Sequence, residues 1–188
     1  VTTTPTTAIR TTDSSRPRRR RTLVGEAAPD FALPDPVTGK TVRLSEYAAG
    51  RDVLLIFLRG TWCPYCVEQL KVLTERHEQL TGCGIAVLAV VCQAQTTVRA
   101  FLKFRPVPFP VLCDGSRATA KAYGSHYWLT HEGFNLSNPA LFVLDRKGTV
   151  TFQHVGRSMS DLPVGYLLDK FCALLEGDGG DGAATATA

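Results

Sequence analysis

Residues 53–66 read VLLIFLRGTWCPYC. The first six, Val53 to Leu58, are apolar without interruption, as expected of a short strand covered on both faces. From Cys63 the pattern changes to a helical one. Val67, Leu70, Leu73, His77 and Leu80 fall along one stripe, and Gly82 is available to end it. The spacing predicts a helix over 63–80, with Cys63 at its start and Cys66 one turn on. Two cysteines at that junction can be a metal clip, a structural crosslink or a working dithiol.

Position favours the dithiol. A helix N-terminus presents unpaired N–H groups and about half a positive charge, which favours thiolate over thiol. A free cysteine of pKa about 8.5 is only about 3% ionised at neutral pH, and in such motifs the value falls to about 7 or lower. Pro64 fits the first turn, where a missing N–H costs no helical bond. A closed zinc site needs four ligands. The chain has no second CxxC, and His77, His126, His131 and His154 show no ligand spacing. A purely structural disulfide closing so small a loop constrains little chain entropy.

The other four cysteines, at 83, 92, 113 and 172, lie in or beside apolar segments and read as buried, inert thiols. The chain of 188 residues is a one-domain length, and its 44% apolar and 20% charged composition is that of a soluble globular protein. The formal charge of +4 sits in one place. Arg10, Arg16 and Arg18 to Arg21 against Asp13 give residues 1–22 a charge of +5, leaving −1 for the rest. The folded part therefore carries no electrostatic footprint for nucleic acid.

Residues 1–22 have almost no apolar side chains and read as a disordered basic tail, and 177–188, GDGGDGAATATA, as a second disordered tail. An export signal would need an apolar segment after the arginines. TLVGEAAPDF follows instead, with Glu26 and Asp30 inside it. No run approaches the roughly 18 apolar residues of a membrane span. A cytoplasmic setting follows from these features.

Past the cysteines, Ile85–Val91 reads as a second buried strand and Thr96–Phe104 as a helix stopped before Pro106. Val111–Cys113 is a short strand, and Ser116 can N-cap a small helix ending at Gly124. Ala140–Leu144 and residues 149–155 read as a hairpin around Asp145–Gly148, and a closing helix begins after Ser160 or Asp161. Residues 23–50 add an N-terminal hairpin and a short helix. The expected architecture is an α/β three-layer sandwich with a mixed central sheet and an N-terminal β extension, one domain over 23–176. The segment SHYWLTHEGFNLSN (125–138) reads as an aromatic lid packed on the core, with a contact surface of Tyr127, Trp128 and Phe134 as the alternative.

WCPYC between a buried strand and a helix resembles the thioredoxin-fold active site. Gly25 to Phe31 (GEAAPDF), Phe142 to Asp145 followed by Gly148, and Asp161 to Gly165 resemble segments of the alkyl hydroperoxide reductase/thiol-specific antioxidant family. The resemblance covers about 23–176 and implies a thioredoxin-like fold. In that family a P-x-x-x-T-x-x-C site and a distant arginine bind peroxide. Aligning Cys66 with the peroxidatic cysteine puts Cys63 in place of the threonine, Arg59 in place of the proline and Pro139 in place of the arginine.

The resemblance therefore implies a thiol–disulfide oxidoreductase using a reversible Cys63–Cys66 pair. The alternative is a thiol peroxidase with Cys66 peroxidatic and Cys63 resolving. A non-catalytic redox-responsive binding module is a third reading. Trp62, Tyr65, Arg59, Asn138 and Pro139 are the expected substrate-binding residues, Pro139 matching the thioredoxin-fold cis-proline. The implied partners are a disulfide or peroxide substrate and a thiol electron donor, either a thioredoxin-type protein or a small thiol. The resemblance permits a homodimer. No metal, cofactor, nucleic acid or membrane is called for.

Overall fold

The computed structural model describes residues 23–130, 133–162 and 164–177. The two expected tails, 1–22 and most of 177–188, lie outside the described residues. The chain opens with a small antiparallel hairpin, β1 (Ala32–Pro34) and β2 (Thr41–Arg43), and a short helix α1 (Leu44–Tyr47). Then follow β3 (Asp52–Leu58), α2 (Pro64–Glu75), α3 (His77–Gly82), β4 (Ile85–Val91), α4 (Gln95–Phe104), β5 (Val111–Cys113) and α5 (Ala118–Ala122). A second hairpin, β6 (His126–Thr130) and β7 (Gly133–Ser137), precedes β8 (Ala140–Leu144), β9 (Val150–Val155) and α6 (Val164–Gly177).

The main sheet has five strands in the order β5-β4-β3-β8-β9. Strand β3 pairs in parallel with β4 and antiparallel with β8, so it is central and fully partnered. Period-two alternation along it sorts the core. Leu54, Ile56 and Leu58 face the side covered by α2, α4 and α6, while Val53, Leu55 and Phe57 face α1, α5 and the N-terminal segment. Both faces are dry, which is why the run reads as continuously apolar. On the second face Phe57, Tyr123 and Phe142 form an aromatic cluster with ring centroids 4.9–5.8 Å apart. The three-layer sandwich with a mixed sheet is the fold expected from the sequence.

Local differences have physical causes. The helix expected over 63–80 is broken: Arg76, at φ −95 and ψ 2, separates α2 from α3. Neither glycine nor proline marks the break. Arg76 instead meets Asp169 of α6 at 2.7 Å, a contact between elements distant in sequence. At α5, Ser116 is not the cap. Arg117 takes that position with φ 62, and the buried carboxylate of Asp114 accepts from the Ala120 N–H at 2.9 Å. The segment 125–138 is not a lid packed on the core but the hairpin β6–β7, with Trp128 and Phe134 exposed and packed on each other at 4.6 Å. Cys92 and Cys113 are buried as expected, Cys83 is only half-buried, and the side chain of Cys172 lies outside the described residues.

The peptide bond Asn138–Pro139 is trans, as are all described peptide bonds, against the cis-proline the resemblance implied. Pro139 stands immediately before β8, where its missing N–H interrupts no ladder bond. Its carbonyl accepts from Gly156 N–H at 2.8 Å, which joins the starts of β8 and the 156–162 loop. Gly156 has no room for a side chain. A Cβ there would meet the Pro139 carbonyl oxygen at 2.9 Å and Pro139 Cγ at 3.1 Å, and would press on the Asp161 carbonyl as well. Gly156→Ala is expected to lower unfolding stability by about 1–3 kcal/mol through overpacking against backbone. A urea titration would show this as an earlier midpoint at unchanged slope.

Candidate functional site

Strand β3 ends at Leu58, and five residues later Cys63 is the N-cap of α2, with Pro64 in the first turn. The intervening Arg59, Gly60, Thr61 and Trp62 make the turn. It is closed by the Cys63 N–H donating to the Gly60 carbonyl at 3.2 Å. Thr61 N–H donates to Gln93 Oε1 at 2.6 Å, tying the turn to the end of β4. Gly60 is required by a close approach. A Cβ would lie 2.9 Å from ring atoms of Trp62, whose indole folds back over it.

Cys63 and Cys66 are free thiols one helical turn apart at the start of α2. Burial pushes the Cys66 thiol well above its ordinary range. The backbone N–H groups of Gly60 and Arg59 donate to its sulfur and oppose that rise, and the Cys63 sulfur adds to it. Each cysteine is only 1% exposed. The sequence alone points to a reachable Cys63, and here the fold differs: sulfur exchange at this pair requires local opening of its cover.

Among the expected binding residues, Trp62 and Tyr65 flank the pair at the surface, 56% and 46% exposed. Arg59 was expected as a substrate-binding residue. It is instead fully buried, its Nη2 donating to the Tyr127 hydroxyl at 2.9 Å and its guanidinium carbon 5.6 Å from the Trp62 ring centroid. Asn138 is buried, with its N–H on the Ser125 carbonyl at 2.7 Å. The register Phe57↔Ala140 carries Pro139 and Asn138 alongside the end of β3. Arg59, Trp62, Cys63 and Cys66 thus share one locality with the start of β8.

Two neighbours were missed by sequence reading: Gln93 holds the turn, and Gln69 is buried on α2 with its Nε2 3.4 Å from the Leu162 carbonyl. Tyr127, read from the sequence as part of a lid or contact surface, reaches Arg59 from the β6–β7 hairpin. Gln69 carried a legible signal, a polar residue three places after Cys66 on the inward side of a helix. Gln93 carried none, and the pairing of Tyr127 with Arg59 was not legible, because the partners are remote in sequence. Among the described residues no group of three His, Cys, Asp or Glu side chains is placed to hold a metal ion.

A mixed sheet of this order, with a cysteine pair opening the helix after its central strand, defines a thioredoxin-like protein. More specifically, the chain belongs to the AhpC/TSA family, whose profile matches residues 24–153. It is 28% identical over 172 residues to peroxiredoxin Q of Oryza sativa subsp. japonica, covering 89% of this chain and 77% of that protein. It is 25% identical over 150 residues to the thiol-disulfide oxidoreductase ResA of Bacillus anthracis, covering 79% of each.

Among solved structures, peroxidoxin BcpB of Mycobacterium tuberculosis superposes with a TM-score of 0.72 at 21% identity, over 85% of this chain and all of that one, a likeness of fold. A Chlorobium tepidum protein provisionally assigned as the thiol:disulfide interchange protein DsbE superposes at 0.64 with 31% identity, over 81% of this chain and 97% of that one.

The Cys66 environment sets a pH dependence. Its folded pKa lies above the unfolded one, so the fold prefers the neutral thiol. That contribution to stability is complete below the ordinary thiol value of 9.0 and is lost as pH climbs above it. In reductant, the stability advantage of the wild-type chain over Cys66→Ser is expected to shrink as pH is raised from about 7 to about 10. Denaturant unfolding of both proteins at matched pH measures it.

Proposed function

We propose that this chain is a thiol–disulfide oxidoreductase in which Cys63 is the attacking sulfur and Cys66 the resolving one. The placement of two free thiols one helical turn apart at the start of α2 carries the reading. The Cys63 thiolate attacks one sulfur of a substrate disulfide, forming a mixed disulfide and expelling the other sulfur as a thiolate. Cys66, deprotonated, then attacks the Cys63 sulfur, closing Cys63–Cys66 and releasing the second substrate thiolate. Two electrons pass from the dithiol to the substrate, and the thiolates take up protons from solvent. An external thiol donor, a thioredoxin-type protein or a small thiol, reduces the pair again.

The roles suit the surroundings. Cys63 caps the 12-residue α2, where the helix field favours an anion. Cys66 has two amide donors to hold negative charge as it forms. Trp62 and Tyr65, half-exposed beside the pair, offer apolar contact to the segment that carries the substrate disulfide. Arg59, Asn138 and Pro139 are assigned to the wall behind the pair, all three being buried. A thiol-maintaining compartment such as the cytoplasm suits a chain whose five described cysteines are all free. No helix among the described residues is long and apolar enough to cross a membrane.

Peroxidase chemistry is the second reading, favoured by the peroxiredoxin Q relatives and by the amides aimed at Cys66. In that reading Cys66 is oxidised to the sulfenic acid by peroxide, releasing water or alcohol, and Cys63 condenses with it to the disulfide.

Single variants separate the two. With a disulfide substrate, Cys66→Ser is expected to accumulate a mixed disulfide on Cys63, and Cys63→Ser to form none, with turnover lost in both. With stoichiometric peroxide, Cys63→Ser is expected to show no sulfenate on Cys66 by mass spectrometry. Sulfenate appearing there faster than on a free thiol would reverse the assignment in favour of the peroxidase.

A further inference from the structure

We propose that Tyr127 is a positioning residue for the dithiol, acting through the buried side chain of Arg59 on the backbone amides that hold the Cys66 sulfur. The proposal rests on the thiol–disulfide reading above.

Arg59 faces two ways. Its side chain donates to the Tyr127 hydroxyl at 2.9 Å, with the guanidinium carbon 6.0 Å from the Tyr127 ring centroid. Its main-chain N–H, with that of Gly60, opposes the rise that burial imposes on the Cys66 thiol. The residue is 0% exposed, so its long side chain is immobilised and transmits constraint instead of swinging through solvent. The same guanidinium lies against Trp62, the residue before Cys63. One residue therefore bears on both halves of the WCPYC turn, by its side chain on Trp62 and by its main chain on Cys66.

The post on which Arg59 rests is itself fixed. Hairpin β6–β7 is anchored away from the dithiol by Arg117 Nε donating to the Asn135 carbonyl at 2.8 Å and by the Ser137 hydroxyl donating to the Ser125 hydroxyl at 3.0 Å. His126 Nε2 and Asn135 Oδ1 are 2.9 Å apart, and Asn135 sits at φ 52, a left-handed state that asparagine tolerates. A hairpin so mounted holds the Tyr127 hydroxyl in place. Without that hydroxyl, Arg59 loses one of its acceptors and the 59–60 backbone one of its constraints. The step that suffers is resolution, where Cys66 must carry negative charge and meet the Cys63 sulfur in line. First attack by Cys63 does not use those amides.

The test follows the peptide carrying both cysteines by quench and mass spectrometry after mixing the full chain with a small aromatic disulfide. In the wild type an adduct on Cys63 forms and then resolves to Cys63–Cys66. Tyr127→Phe is expected to lengthen the adduct's lifetime about two- to ten-fold, the worth of one hydrogen bond, without slowing its formation. The pH profile of resolution should move upward. Arg59→Lys should show the same split, and Leu129→Ala, at an exposed site on the same hairpin, should match wild type. Resolution at the wild-type rate in both Tyr127→Phe and Arg59→Lys overturns the proposal, and so does equal slowing of both steps with lowered thermal stability. A wild-type chain that never forms the adduct, or never resolves it, overturns the thiol–disulfide reading instead.

Discussion

Strand β3 is paired on both edges and covered on both faces, and every residue from Val53 to Leu58 is at most 1% exposed. The rest of the molecule is arranged around that burial. It sets where the chain emerges at Arg59, and the short turn to α2 then leaves little freedom for Gly60 to Trp62. Closing that turn places the sulfur of Cys66 against the amides at the end of the strand. A strand with one solvated face would give its last residues no such rigid origin.

Burial also works against the chemistry it positions. Removing Cys66 from water penalises its thiolate, and the two amides recover only part of the loss. Cys66 therefore sits in a site that stabilises its neutral thiol, and the buried pair asks for local opening before exchange. Low-stability openings are where proteins place such access. Burying Arg59 here is costly for a charged group. The Tyr127 hydroxyl and the flanking aromatic rings offset part of that cost.

Reading residues in order recovered every strand of the main sheet, because β3, β4, β5 and β8 are short apolar runs and β9 follows a turn after β8. It also recovered the cysteine pair and its place at a helix start, since Pro64 and the apolar stripe after it are local signals. The break at Arg76 was not legible: a residue of ordinary helical propensity leaves the helix to meet Asp169, which lies 93 positions away. The hairpin β6–β7 was hidden for a related reason. Its apolar side chains look like core material by composition, yet Trp128, Leu129 and Phe134 stand outward while Tyr127 meets Arg59 after β3.

Local patterning by itself determined the layer order, the mixed sheet and the presence of two thiols one helical turn apart, because periodicity and end signals act over a few residues. Tertiary packing alone decided that Arg59 is buried, that Asn138–Pro139 is trans and that both sulfurs are covered. Those features depend on which surfaces meet across the fold, and contact between distant segments leaves no trace in the spacing of neighbours.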